Sequence, residues 1–202
     1  MARKRSASDV VVEMVRRKSV LRPRDLKARG IHRECLRRLC AKGLLVRVAR
    51  GLYVLARADL SSQHTLALAA QSIPRGVICL LSALRFHDIG TQNPQEVWLT
   101  IDHKAEVPRV SYPRLRIVRS SGKALMAGID KHTIEGVTVK VYSPAKTVVD
   151  CFKYRSKIGL DVALEALRDC WRQRRATMDD LWRYAKICRM TNVMRPYLES
   201  LT

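Results

Sequence analysis

Apolar positions near the start of the chain first repeat with a helical period and then with a strand period. Val11, Met14 and Val15 share one face of a 3.6-residue repeat and lead into Arg16-Arg17-Lys18. The run predicts a helix opened by Ser8-Asp9 and carried through Lys18. Its acid lies in the first turn and its cations in the last, as a helix dipole favours. Pro23 suits the first turn of a second short helix, 24–29, closed by Gly30. Cys35, Leu36, Leu39 and Cys40 recur at i, i+1, i+4 and i+5, predicting a third helix over about 32–42 that stops at Gly43. Past Gly43 two β-prone runs, 44–49 and 52–55, flank Arg50-Gly51, a hairpin turn in which Gly51 supplies a positive φ. Three short helices followed at once by a hairpin predict a winged helix-turn-helix over residues 1–56.

From residue 57 on, the pattern is mixed. Positions 56–63 read as a linker into a helix over about 62–71 whose body, Leu66-Ala67-Leu68-Ala69-Ala70, is apolar enough to be buried. An apolar stretch runs from Val77 to Leu84 and on to Asp88. Strands are predicted at 96–101 and 115–119, and a hairpin at 129–134 and 137–142 around Glu135-Gly136. Ser143-Pro144 opens a helix reaching Phe152 or Tyr154. A strongly periodic helix covers 160–174, Thr177 caps another with Asp179 and Asp180 in its first turn, and a last one occupies about 192–201 with Pro196 limiting its start. The expected fold class is α+β: an N-terminal winged helix-turn-helix, then a mixed α/β domain over 57–202 with a small sheet backed by helices.

Charge gives this division a functional meaning. The chain carries 39 Lys+Arg against 18 Asp+Glu, a net +21 over 202 residues. Residues 1–56 hold 16 cations and 4 anions, so the first quarter supplies +12 of that excess. Such a field attracts polyanions, and its concentration at one end points to a nucleic-acid module rather than a uniformly basic surface. The third helix is sized for the major groove, with the wing for the flanking backbone or minor groove. Arg33 and Arg37, one turn apart near the helix start, are placed to reach base edges, because Arg suits guanine O6 and N7. Arg38, Lys42 and Arg24 are placed to hold phosphates, Arg47 and Arg50 belong to the wing, and His32 stands at the capping position of the recognition helix. The basic start Met1-Ala-Arg-Lys-Arg is followed by no apolar run, so it reads as a disordered tail, with a short arm along DNA phosphates as the alternative, and not as a secretion signal.

Other chemistries find little support. No apolar run reaches the roughly 20 residues of a membrane span. None of the six cysteines forms a C-x-x-C pair, and His32 with Cys35 lacks a second pair to complete a zinc site, so no metal and no cofactor are expected. The cysteines read as reduced, mostly buried small side chains, consistent with the cytoplasm. His64 and His87 read as structural, without carboxylate partners in the sequence pattern. There is no P-loop, G-x-S-x-G or H-E-x-x-H, and the loose Asp102, Lys104, Glu106 group reads as a turn between strands, so no enzyme is expected.

The order of residues is also familiar. Gly30-Ile31, Leu36, Leu39, Gly43, Leu45 and Arg50-Gly51-Leu52-Tyr53 resemble the winged helix of the abortive-infection E-type antitoxins. Ser82-Ala83-Leu84 with His87, Val97-Trp98-Leu99, the run Ser143 to Asp150 and the run Lys153 to Gly159 resemble the same family, so the likeness extends over nearly the full chain. It implies a bacterial type IV toxin–antitoxin component whose N-terminal domain represses its own operon at promoter repeats. It further implies that the C-terminal domain counters a nucleotidyltransferase-like toxin without a stable complex. A monomer in solution that can place two copies on double-stranded DNA fits that picture. Pro144, Thr147, Asp150 and Tyr154 are singled out in the second domain; helix capping and core packing are the favoured reading, with a functional role as the alternative. The residues themselves leave two alternatives: a plain winged-helix regulator with a sensing or oligomerising second domain, and a nucleic-acid enzyme with the winged helix as targeting arm.

Overall fold

A computed structural model describes residues 6–18, 21–49, 51–55, 62–107, 110 and 112–201. The chain opens with α1 (Ala7–Lys18), α2 (Pro23–Lys27) and α3 (Glu34–Ala41), followed by β1 (Leu45–Ala49) and β2 (Leu52–Leu55). α1 begins earlier than Ser8-Asp9 predicts. The Ser6 hydroxyl accepts from the Asp9 N–H at 3.1 Å while the Asp9 carboxylate accepts from the Ser6 N–H at 3.1 Å. This reciprocal pair makes Ser6 the cap and moves Asp9 inside the helix. α2 and α3 start and stop close to their expected limits, and Gly30 and Gly43 follow them at φ +66° and +65°. Val11, Met14, Val15, Leu26, Cys35, Leu36, Leu39 and Leu45 form a core together with Leu21. Leu21 exchanges both backbone hydrogen bonds with Tyr53, at 2.9 and 3.0 Å, so the segment between α1 and α2 adds a third rung to the hairpin. β1 and β2 pair antiparallel with an irregularity between Arg47 and Ala49. Arg50, and with it half of the expected turn, lies outside the described residues, as does most of the expected linker.

The remainder is built on a five-stranded mixed sheet. In chain order come α4 (Ser62–Ser72), β3 (Val77–Ile78), α5 (Leu80–Phe86), β4 (Val97–Asp102), β5 (Leu115–Ser120), α6 (Gly122–Met126), β6 (Ile129–Ile134) and β7 (Val137–Tyr142). Then follow α7 (Pro144–Lys153), α8 (Arg155–Ile158), α9 (Leu160–Arg172), α10 (Met178–Cys188) and α11 (Thr191–Glu199). The strand order is β5-β4-β3-β7-β6. β4 and β5 run parallel, as do β3 and β7, whereas β3–β4 and β6–β7 are antiparallel.

Period-2 alternation sends side chains to two faces. Ile78, Val97, Leu99, Ile101, Val139 and Val141 pack under α4. Val77, Trp98, Val118 and Tyr142 face the opposite side, where α5, α7, α9, α10 and α11 form the larger core around Val148, Phe152, Ala163 and Leu181. Val54 of β2 and Leu68 of α4 are buried together beside Tyr112, where the hairpin meets the sheet layer. Pro196 lies inside α11, which begins at Thr191; it does not limit the helix start. The expected turn at Glu135-Gly136 has φ +51° and +76°, the doubly positive form that joins two-residue hairpins.

Candidate nucleic-acid interface

Burial of Cys35, Leu36 and Leu39 fixes which way α3 turns. On a 3.6-residue repeat the opposite face carries Arg37, Arg38 and Lys42, all exposed, with Arg33 exposed at the N-cap. The structure therefore groups four of the predicted residues on one helix. It also places Glu34 within that face. The Arg37 Nε donates to Glu34 Oε1 at 2.8 Å, although 84% of the Arg37 side chain remains exposed. An exposed i,i+3 pair is worth about 0–1 kcal/mol, so a phosphate or base edge competes with Glu34 on easy terms. The i,i+3 spacing of Glu34 from Arg37 is the sequence signal for this acidic partner, which the charge count of the segment does not single out.

His32 is exposed and stands one residue before the N-cap, Arg33, and not at the capping position expected of it; its Nδ1 accepts from the Glu34 N–H at 3.2 Å. Arg24, His32 and Arg33 come together around a shallow hollow of about 470 Å³ between α2 and α3, with Lys27 on the same rim. Lys27 was not among the predicted residues. Its place at the end of a five-residue helix, beside Gly30, was the available signal. Arg47 is exposed on β1, opposite Tyr53. Leu44 and Val46 beside it are 47% and 46% exposed, large apolar side chains left at the base of the hairpin. Arg50 is not among the described residues.

Of the second set of singled-out residues, Thr147 and Asp150 are buried and Pro144 and Tyr154 are half-buried. Pro144 is the first residue of α7, and the Thr147 hydroxyl donates to the Tyr142 carbonyl at 3.1 Å. Asp150 is buried in an ion pair with Lys146, whose Nζ also sits 4.1 Å from the Tyr142 ring centroid. Burial pushes the Asp150 carboxyl above its ordinary value against the pull of the Lys146 ammonium, and the Cys188 thiol lies 3.7 Å away. The Tyr154 hydroxyl donates to the Arg119 carbonyl at 2.9 Å, and burial holds the phenol up at about 12. None of these groups is presented as a nucleophile or base in the way catalysis requires.

The histidines are structural, with one correction. His64 does have a carboxylate partner, since its Nδ1 donates to Glu135 Oε2 at 2.8 Å across 71 residues of chain. His87 Nε2 donates to the Tyr142 carbonyl at 2.7 Å, and burial holds its imidazole below the usual range. Asp102 accepts from the Lys104 N–H at 2.9 Å, which closes the expected turn. All six cysteines are free thiols, five buried and Cys40 half-buried, and burial raises the thiols of Cys79 and Cys170 to about 12. Among the described residues no group of three or more His, Cys, Asp or Glu is disposed to hold a metal ion, and no helix is long and apolar enough to cross a membrane.

Residues 9–56 match the model of a family described as "Transcriptional regulator, AbiEi antitoxin". The matched segment spans α1 to the end of the hairpin and contains every residue assigned above to DNA contact. No curated protein sequence matches the chain. The fold is similar to the crystal structure of the RV2827C protein from Mycobacterium tuberculosis, with a TM-score of 0.57 and 15% sequence identity over 92% of this chain and 73% of the other. At that identity the likeness is one of fold.

Proposed function

We propose that the chain is the antitoxin of a type IV toxin–antitoxin system and represses its own operon by sequence-specific binding to promoter repeats. The observation that carries this reading is the basic face of α3, exposed beside a hairpin, inside the segment that matches an antitoxin and regulator family. In this reading residues 1–56 form the DNA-binding domain. Arg33 and Arg37 reach base edges in the major groove. Arg24, Arg38 and Lys42 hold phosphates, His32 fixes the start of the recognition helix against the backbone, and Arg47 and Arg50 follow the flanking strand. The protein acts as a monomer that can occupy paired repeats, without cofactor, and works in the cytoplasm.

Residues 57–202 form the neutralising domain. It opposes a nucleotidyltransferase-like toxin without a lasting complex and performs no catalysis of its own. Two in vivo assays test the two halves. A reporter driven by the chain's own upstream region should be silenced by the full protein and released by Arg33→Ala with Arg37→Ala. Co-expression with the neighbouring gene product should restore growth with either protein. Repression that survives the double substitution would remove the DNA assignment. A neighbouring gene that is not toxic, or toxicity the chain does not relieve, would leave a regulator without an antitoxin role.

A further inference from the structure

A second concave, basic site lies far along the chain from the DNA-binding segment. A cleft of about 1000 Å³ opens where β5, α6, α7 and α10 converge, and five cations line it: Arg119, Lys123, Lys153, Lys186 and Arg189. They come from separate segments, and no Asp or Glu lines the cleft. Among the described residues none of Lys123, Lys153, Lys186 and Arg189 is in an ion pair. A net charge of +21 does not by itself produce this, for the other large cavity, about 860 Å³, sets Arg85 and Arg114 among Asp88 and Glu96.

Two features show a built wall. Nη1 of Arg119 donates to the carbonyls of His103 at 2.6 Å and Ala105 at 2.9 Å, which fixes this guanidinium at the rim. Arg189 ends α10 at φ +59°, and the Met190 N–H reaches back to the Ala185 carbonyl at 2.7 Å. That is the left-handed capping position glycine ordinarily fills, because a side chain there is strained. An exposed arginine stands there, and it lines the cleft.

We infer that this cleft binds a small anion carrying consecutive phosphate groups, of the size of a nucleoside triphosphate. Like charges gathered in one hollow repel one another, and an anion of several charges removes that repulsion. A single carboxylate or phosphate is too small in charge for five cations and in bulk for the cavity, whose size is at the upper end of small-molecule sites, roughly 300–1,000 Å³. A duplex lays its phosphates along a track and is met by a stripe of cations, whereas these converge. Ala124, Ile187 and the Tyr154 ring give the cleft an apolar side against which a base can rest. The inference is independent of the antitoxin reading.

Calorimetric titration of the full chain with inorganic tripolyphosphate, ATP and inorganic phosphate tests it. One site per chain is expected for tripolyphosphate and ATP, with orthophosphate much weaker. Arg189→Gly should weaken both by about tenfold or more while leaving the ligand-free unfolding temperature equal or higher, since glycine relieves the positive φ. Lys186→Ala should weaken both as well, and Arg38→Ala on the distant α3 should leave both unchanged. ATP binding more tightly than tripolyphosphate assigns the apolar side to a nucleoside; equal binding assigns the site to the phosphate chain alone. Equal loss in Arg38→Ala and Arg189→Gly, several weak sites per chain, or binding untouched by both cleft variants would overturn the inference. So would Arg189-sensitive binding of single-stranded RNA or duplex DNA with no uptake of tripolyphosphate.

Discussion

The buried pair of Lys146 and Asp150 is the most sharply testable element of the fold. Both side chains are on α7, one turn apart, with 1% and 5% of their surfaces exposed. Asp150→Asn keeps the shape and leaves the Lys146 ammonium in the core without a counter-charge. Removing one partner of a buried pair typically costs about 3–5 kcal/mol. The Tyr142 ring face, 4.1 Å from the Lys146 Nζ, returns part of that, because a desolvated cation–π contact contributes about 2 kcal/mol. A net loss of about 1–3 kcal/mol follows, and at about 2–4 °C per kcal/mol for a chain of this length the unfolding temperature should fall by roughly 2–12 °C. Lys146→Met should be comparably harmful, since it strands the carboxylate. Lys146→Met with Asp150→Leu removes both charges and should lie within about 1 kcal/mol of the parent, giving a large coupling energy. Urea unfolding of the parent, Lys146→Met, Asp150→Leu and the double variant at neutral pH measures the cycle, with Asp150→Asn as the shape-preserving single. If Asp150→Asn loses less than about 1 kcal/mol, or the double variant loses the sum of the singles, the pair is not the desolvated charge unit described here.

Three further outcomes follow from other contacts. Burial lowers the His87 imidazole, so the unfolded chain binds a proton that the folded chain resists; stability should fall as pH drops below about 6.5, the ordinary histidine value. His87→Gln should flatten the stability profile between pH 7 and 5, and an unchanged slope would contradict the assignment. Glu34→Gln frees Arg37 and removes a negative charge from α3, so non-specific DNA binding should tighten and the salt slope steepen by about one ion; Arg38→Ala should shallow it by a similar amount, read in a salt titration. Pro196→Ala restores the N–H that α11 lacks toward the Asn192 carbonyl and should stabilise the chain by about 1–3 kcal/mol, seen as a higher urea midpoint.

Local rules made the helices and hairpins legible, and distance in sequence hid the rest. The apolar spacing of Cys35, Leu36 and Leu39 fixed the exposed face of α3, and Gly30, Gly43 and Gly51 marked turns that all take positive φ. Glu135-Gly136 was equally readable. The Leu21–Tyr53 bridge was not, since one paired residue leaves no period. β3 was lost inside the run from Val77 to Leu84, because a two-residue strand buried on both faces cannot be told from the helix that follows it. Ser6 escaped notice as a cap because Ser8-Asp9 offered the same chemistry two residues later. The His64–Glu135 contact and the cleft between α6 and α10 depend on how the sheet is ordered, which no local pattern specifies. On the exposed face of α3 the cations are legible from charge and period and Glu34 from its i,i+3 spacing to Arg37, while Lys27 joins Arg24 and Arg33 at the hollow between α2 and α3.

The proposed function stands or falls with sequence-specific DNA recognition by the α3 face. A gel-shift titration of the full chain on its own upstream DNA and on a scrambled duplex, across a salt series, decides it. A preference of about a thousandfold or more that persists at physiological salt is the expected result, and Arg33→Ala with Arg37→Ala should abolish the preference while leaving weak binding to both. Equal binding to the two duplexes, falling steeply and in parallel with salt, would mean that the +21 charge acts as undirected attraction, and the repressor reading would fall.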